Sequence, residues 1–151
     1  MSQHGLGTNV ISQIAIVVRD IEKTARQYAD IFNLPVPPVI VTDTADKAHT
    51  NYRGHATQAR AKLAFFQMGP QLSIELIEPL GGPSTWQEFL DARGEGVHHI
   101  AFNVPDMDQS LAYLDSKGIQ TVQRGDFTGG CYGYADATGP LKVTLELLAK
   151  K

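Results

Sequence analysis

The sequence predicts an α+β fold in which two tandem βαβββ modules form an incomplete, curved barrel around a concave face. Three observations predict it. Residues 12–18, SQIAIVV, are echoed by residues 98–104, HHIAFNV, at a spacing of 86, so Gln13 falls on His99, Ile14 on Ile100, Ala15 on Ala101, Ile16 on Phe102 and Val18 on Val104. Residues 73–77, SIELI, are echoed by 144–148, TLELL, at a spacing of 71, which puts Glu75 on Glu146. Between the anchors, both halves run from an alternating strand pattern into a helical one and back. A repeat of this kind is an internal duplication. Because the spacings differ by 15 (86 − 71), the first half carries about 15 extra residues.

The elements follow in order. The first strand covers about 11–18. Asp20 is the N-cap of a helix running to about Phe32, with Ile21, Ala25, Tyr28, Ile31 and Phe32 near helical spacing. The prolines of NLPVPP, 33–38, stop it. The stretch from about 37 to 61 is polar and loop-like in its middle and is the insertion. Residues 62–68 and 71–78 form a hairpin turning at Gly69-Pro70. Residues 81–96 are a linker in which Ser84 and Gln87 make a capping box for a short helix. A strand over 98–104 opens the second half. A helix follows from Asp106 to Lys117, stopped by Gly118, and then strands over 119–124, 131–136 and 142–148. The chain, 1–151, thus reads as one domain of two modules, 10–80 and 97–149, joined by the linker.

Composition bounds the function. Hydrophobic content of 42% with 19% charge describes an ordinary soluble globule. The net charge of −3 and the lack of a basic cluster exclude a nucleic-acid partner. No apolar run approaches the roughly 20 residues that span a bilayer, so no membrane association is expected. The opening MSQHGLGTNV has no secretory leader. The single cysteine, Cys131, rules out an intrachain disulfide and fits a reducing, cytoplasmic setting.

Alternation along the strands sorts the polar residues. Ile14, Ile16 and Val18, like Ile100, Phe102 and Val104, make the apolar faces that belong under the helices. Gln13, Glu75, His99 and Glu146 all fall on the opposite, less apolar faces. Carboxylates on half-buried strands are costly without partners. Taken singly, each residue reads most simply as a solvent-facing or structural side chain; their pairing by the repeat is what marks them. One amide or imidazole and one carboxylate per module, converging on a cup, supply what one divalent cation needs. The mixed oxygen and nitrogen set suits Zn, Co, Ni or Mn. His98, of opposite parity to His99, is expected toward the helix layer or the strand end as a packed residue.

At these residues the sequence resembles the vicinal oxygen chelate superfamily, which includes glyoxalases, methylmalonyl-CoA epimerases, extradiol dioxygenases and bleomycin-resistance proteins. The stretches that carry the resemblance are ISQIAIVVRDIEKTARQYADIF, LSIELIEPLGG, GVHHIAFNVPDMDQSLAYL and VTLELL, covering most of the chain outside 37–61. It looks most like the methylmalonyl-CoA epimerases. The resemblance puts the family's metal positions on Gln13, Glu75, His99 and Glu146, with Gln13 where most such epimerases have His. Some glyoxalase I enzymes, however, bind metal with a Gln, Glu, His, Glu set in this order. It also implies Glu146 as a catalytic base. The opposed acid of the epimerases falls on Gln58, an amide that cannot exchange a proton. His55 in the insertion is then the residue to test, and His55 and Gln58 are the expected substrate-binding pair.

The resemblance implies a metal-dependent epimerase or isomerase that abstracts a proton next to a carbonyl of an acyl thioester or dicarbonyl substrate. Glu146 would be a ligand in the resting site and the base when substrate binds. Two other readings stand beside it: a glyoxalase I-type lactoylglutathione lyase, and a non-catalytic small-molecule-binding protein of the antibiotic-resistance type. Edge strands that need cover, and the habit of the family, lead us to expect a homodimer.

Overall fold

The computed structural model describes residues 5–151; residues 1–4, the start of the segment read for a leader, lie outside the described residues. Alternation in QIAIV gives strand β1 (Gln13–Val17). Asp20 then caps helix α1 (Ile21–Phe32), its Oδ1 accepting the Lys23 N–H at 3.1 Å. Asn33 ends the helix in the left-handed conformation (φ 53°), which asparagine tolerates well. Strands β5 (Arg60–Met68) and β6 (Leu72–Leu80) are the predicted hairpin.

Helix α3 (Thr85–Arg93) fills the linker, and the Ser84 hydroxyl accepts the Gln87 N–H as the capping box requires. The second half is β7 (Gly96–Asn103), α4 (Met107–Ser116), β8 (Thr121–Phe127), β9 (Gly130–Ala135) and β10 (Thr144–Lys150). Asp106 caps α4 through the Gln109 N–H, the same device at the repeated position.

The insertion is not the plain loop its composition suggests. It folds into two-residue strands β2 (Ile40–Val41), β3 (Asn51–Tyr52) and β4 (His55–Ala56), with a single helical turn, α2 (Ala45–Ala48). These pieces are too short to show a period. Tertiary contacts define them: β2 pairs with β5, whereas β3 crosses to the other module and pairs with β8. The Arg53 guanidinium reaches Glu88 on α3 at 2.8 Å.

Among the described residues, all ten strands belong to one curled sheet, in the order β2-β5-β6-β1-β7-β10-β9-β8-β3-β4. The modules are joined by the antiparallel pairing of β1 with β7, the two duplicated strands. On the convex side, α1 packs over Ile16, Ile74, Leu76 and Phe66, and α4 over Ile100, Phe102, Leu145 and Leu147. Removing Leu147, 0% exposed, to alanine should cost about 2–5 kcal/mol. A third apolar cluster lies on the concave side, where Trp86, Phe89 and Leu90 of α3 close one end of the cup over Ala15, Val17 and Ile77. Among the described residues no helix is long and apolar enough to cross a membrane.

Candidate metal centre

Four neighbouring strands, β6, β1, β7 and β10, send Glu75, Gln13, His99 and Glu146 to the concave face. Register arranges them in two rows. In one row Glu75 and His99 flank Ala15; in the next Gln13 and Glu146 flank Ala101. The two alanines occupy equivalent places in the duplication and are fully buried. Small side chains between the polar ones leave the floor of the cup open.

His99 Nε2 lies 3.3 Å from Glu146 Oε1 and 3.7 Å from Glu75 Oε1. The buried side-chain atoms without a hydrogen-bond partner, among the described residues, are Gln13 Oε1, His99 Nε2 and Glu146 Oε1. Gln13 Oε1 and an ionised Glu146 Oε1 can only accept, and His99 Nε2 can present a lone pair. Orphaned acceptors aimed into one cup are costly unless a cation meets them. The residues present therefore fit a divalent metal.

Electrostatics agree with the burial. Glu75 and Glu146 are 6% and 5% exposed, and desolvation pushes both carboxyls above the usual range; the Glu146 charge raises Glu75 further, while Tyr134 lowers Glu146 in part. Burial pushes the His99 imidazolium down to about 3, so the ring is neutral. A tighter acidic cluster sits outside the cup, where donor atoms of Asp20, Glu22 and Glu78 lie within 4.8 Å of one another, closer than Glu75, His99 and Glu146 gather. Its oxygens already have work: Asp20 caps α1, and Glu78 accepts from Ile21 N–H and pairs with Lys62.

His98 is packed, as the sequence suggests, but on the cup side rather than under the outer helices. The register between β1 and β7 shifts between Ala15 and Ile16, so β7 carries an extra residue at His98. This bulge turns both consecutive imidazoles to one face, which strict alternation forbids. His98 Nδ1 lies 2.7 Å from His99 Nδ1, and His98 Nε2 lies 3.0 Å from Thr85 Oγ1 at the start of α3.

A second set of supports comes from aromatic residues that sequence reasoning missed. Tyr134 stands opposite Glu146 across β9 and β10, accepts the Trp86 indole N–H at 3.0 Å, and offsets part of the upward push that burial gives the Glu146 carboxyl. Tyr132 shares its face. Its ring lies over Gly125, where a Cβ would meet ring atoms at 2.5 Å, so only glycine fits there. Gln123 is turned in one sense only: its Oε1 accepts the Thr85 N–H at 2.9 Å, and its Nε2 donates to the Tyr132 hydroxyl at 3.0 Å. The alternation of two tyrosines in GCYGYA was the available signal; placing them beside Glu146 needed the strand order.

A cavity of about 1250 Å³ opens above the centre, lined by Gln13, Glu75 and Glu146 at its base and by Leu63, Phe65 and Phe127 on its walls. Asp43, at the β2 end, also lines it. His55 and Gln58 do not: His55 lies exposed on β4 at the edge of the sheet, and Gln58 is exposed in the turn that follows. His49 is exposed and binds Asp126, a residue of the cavity wall, at 2.8 Å.

A sequence model of the glyoxalase/bleomycin resistance protein/dioxygenase superfamily matches residues 12–134. The chain is 25% identical to the 2-epi-5-epi-valiolone epimerase of an Actinomyces species, covering 94% of this chain and 80% of that protein. It is 27% identical to the ethylmalonyl-CoA/methylmalonyl-CoA epimerase of Cereibacter sphaeroides, covering 82% and 81%. A shorter stretch, 44% of the chain, is 37% identical to the YqjC protein of Bacillus subtilis and spans 47% of that protein. The fold is similar to that of the methylmalonyl-CoA epimerase of Mycobacterium tuberculosis, with a TM-score of 0.67, 22% identity, and 100% and 93% of the two chains covered.

Proposed function

Because the chain belongs to the glyoxalase/bleomycin resistance protein/dioxygenase superfamily, we propose that its cup is the site of a metal-dependent epimerase or isomerase. It would remove a proton next to a carbonyl of an acyl thioester or dicarbonyl substrate. The observation that carries this reading is the convergence of two orphaned oxygens, Gln13 Oε1 and Glu146 Oε1, and the buried Glu75 carboxylate at the base of one cavity, with the orphaned His99 Nε2 within 3.7 Å of both carboxylates. The epimerase names of the two relatives that align over most of their length support it.

Gln13 Oε1, a Glu75 oxygen, His99 Nε2 and a Glu146 oxygen would hold one divalent ion of the Zn, Co, Ni or Mn kind. When bound, it supplies Lewis acidity to a substrate carbonyl and so stabilises the charge left when the neighbouring proton departs. Glu146 takes that proton. Burial keeps its carboxyl above the ordinary range, closer to the working pH at which a general base is most effective, and the Tyr134 hydroxyl fixes its orientation. Helix α3 shuts water out of one end of the cup. The apolar walls receive the parts of the substrate that do not react. Reprotonation from another direction, which epimerisation requires, has two lining groups to draw on, the Asp43 carboxyl and the Tyr132 hydroxyl.

The buried, free Cys131 accords with a cytoplasmic setting. We also propose a homodimer; each chain builds its own cup, and sedimentation showing a monomer at high micromolar concentration would overturn the dimer without touching the site.

The test of function is proton exchange. The zinc- or cobalt-loaded protein, incubated in deuterated water with methylmalonyl-CoA and a panel of dicarbonyl compounds, should label the carbon next to the carbonyl of at least one. Consumption of a methylglyoxal–glutathione adduct, with no exchange in any acyl thioester, would give the site to lyase chemistry instead. Tight binding with no exchange anywhere would make it a sequestering protein.

A further inference from the structure

The two adjacent histidines carry an inference that rests on the metal reading and concerns the one of the pair that is not a ligand. We propose that His98 is a positioning residue that locks His99 in the tautomer with its proton on Nδ1, so that Nε2 presents a bare lone pair to the metal.

The argument is one of donors and acceptors. Two ring nitrogens 2.7 Å apart, His98 Nδ1 and His99 Nδ1, must be one N–H and one lone pair. The direction follows from the metal reading. His99 Nε2 has no hydrogen-bond partner and faces two carboxylates, 3.3 and 3.7 Å away, so as a ligand it presents its lone pair there and its proton sits on Nδ1. His99 Nδ1 is then the donor, and His98 Nδ1 is the lone pair that receives it. His98 in turn carries its proton on Nε2, where the Thr85 hydroxyl, 3.0 Å away, can accept it; the Thr85 N–H beside it is already given to Gln123 Oε1. A ring nitrogen's protonation is governed by the bond its partner nitrogen makes, and metal-ligating histidines almost always have such a bond to fix them.

The local structure is built to hold this arrangement. The bulge in β7 is what brings His98 to the cup side. The His98 ring is wedged edge-on between Phe89 (centroids 5.4 Å) and Tyr134 (5.3 Å), and His99 lies against Tyr134 at 4.9 Å. Thr85 is placed by two neighbours, the Ser84 cap and the buried amide of Gln123. The linker helix thus orders a ligand that it does not itself contribute.

Nitrogen-edited NMR of the imidazole rings in the metal-free protein reads the tautomer directly, and the expected result is His99 with its proton on Nδ1. His98→Phe keeps the ring volume and removes the acceptor. It should release His99 to a mixture of tautomers and weaken zinc binding, measured by calorimetry with the metal alone, by about 10- to 100-fold. His98→Asn offers an oxygen where Nδ1 stood, and should restore both the tautomer and most of the affinity. A proton found on His99 Nε2 in the wild type, or wild-type zinc affinity in His98→Phe, overturns the proposal. If His98→Phe does not fold, the wild-type tautomer alone decides. A wild type that binds no zinc, cobalt, nickel or manganese sinks the metal reading separately, since the tautomer is read without metal.

Discussion

The two modules carry the same carboxylate at the same place, yet they surround it differently. In the second module Glu146 faces Tyr134 across the strand pair; in the first, Glu75 faces Phe65. One carboxylate has a hydroxyl beside it that is itself held by Trp86; the other has burial, the opposing Glu146 charge and His99 Nε2 at 3.7 Å. The remaining donors diverge in the same sense. His99 is anchored through His98 to α3, whereas Gln13 holds an orphaned oxygen. Duplication preserved the positions; the linker helix packs on both halves but braces the polar groups of the second. On the proposed reading this is a division of labour: the first module would supply plain donors, the second oriented ones, and chemistry that needs an aimed group would fall to the second.

The strongest way to break this comparison is to exchange the carboxylates for amides one at a time. Glu146→Gln keeps an oxygen donor and loses the proton acceptor, so substrate-proton exchange should fall about 10²-fold or more while some metal is retained. Glu75→Gln should act mainly on metal affinity, with exchange recovering when metal is added in excess. Equal losses of exchange that no added metal restores would mean that the two carboxylates are not divided as the structure suggests.

Metal content tests the other pair. His99→Ala should lose metal stoichiometrically, and unchanged content would reject the site. Gln13→Ala removes a neutral amide oxygen and should weaken binding less. Gln13→His makes the first module copy the second and should preserve metal, though without a partner like His98 to fix the ring.

Much of this comparison could be read in the sequence. Alternation placed Gln13, Glu75, His99 and Glu146 on one face because each is set by the regular pairing from its own position onward, β7 included beyond its bulge, and register then brought them together. The capping residues Asp20, Ser84 and Asp106 were legible because a cap is local chemistry. His98 was misplaced because a bulge depends on the pairing partner and leaves no mark on the chain that carries it. The insertion was read as a loop because two-residue strands have no period, and β3 is defined by β8, some 70 residues away. Tyr134, Trp86 and Gln123 were missed because each acts across elements distant in the chain, and hydrogen-bond direction is a tertiary property.

A smaller effect should follow from making the modules alike. Tyr134→Phe gives Glu146 the same neighbour that Glu75 has, and leaves the buried Trp86 N–H without its acceptor. An unsatisfied buried donor costs roughly 1–3 kcal/mol, which urea unfolding should detect as a lowered midpoint with an unchanged slope. Phe65→Tyr is the converse change, and it should not stabilise, because no donor equivalent to Trp86 waits on that side. A neutral Tyr134→Phe would mean that the polar support of Glu146 is incidental.

The smallest expected effect concerns the insertion, the part of the first module with no counterpart in the second. Its turn α2 is tied to β8 by His49, whose Nδ1 meets Asp126 at 2.8 Å, while Lys151 holds the other Asp126 oxygen at 2.7 Å. Burial is the largest single influence and pushes the Asp126 carboxyl up, but the hydrogen bonds from Lys151 and His49 together outweigh it and leave the carboxyl below its usual range. A depressed carboxylate contributes stability that is fully present above its unfolded pKa, near 3.9, and is lost as pH falls through the folded value. Asp126→Asn should therefore cost less than about 1 kcal/mol at neutral pH, since the partners are largely exposed and screened. The deficit should shrink in high salt and vanish only once the pH has fallen below the depressed folded value, where the wild-type carboxyl is protonated as well. A deficit that persists undiminished in acid would show that the tie between insertion and second module rests on packing around Thr50 and Ala48, both buried, rather than on charge.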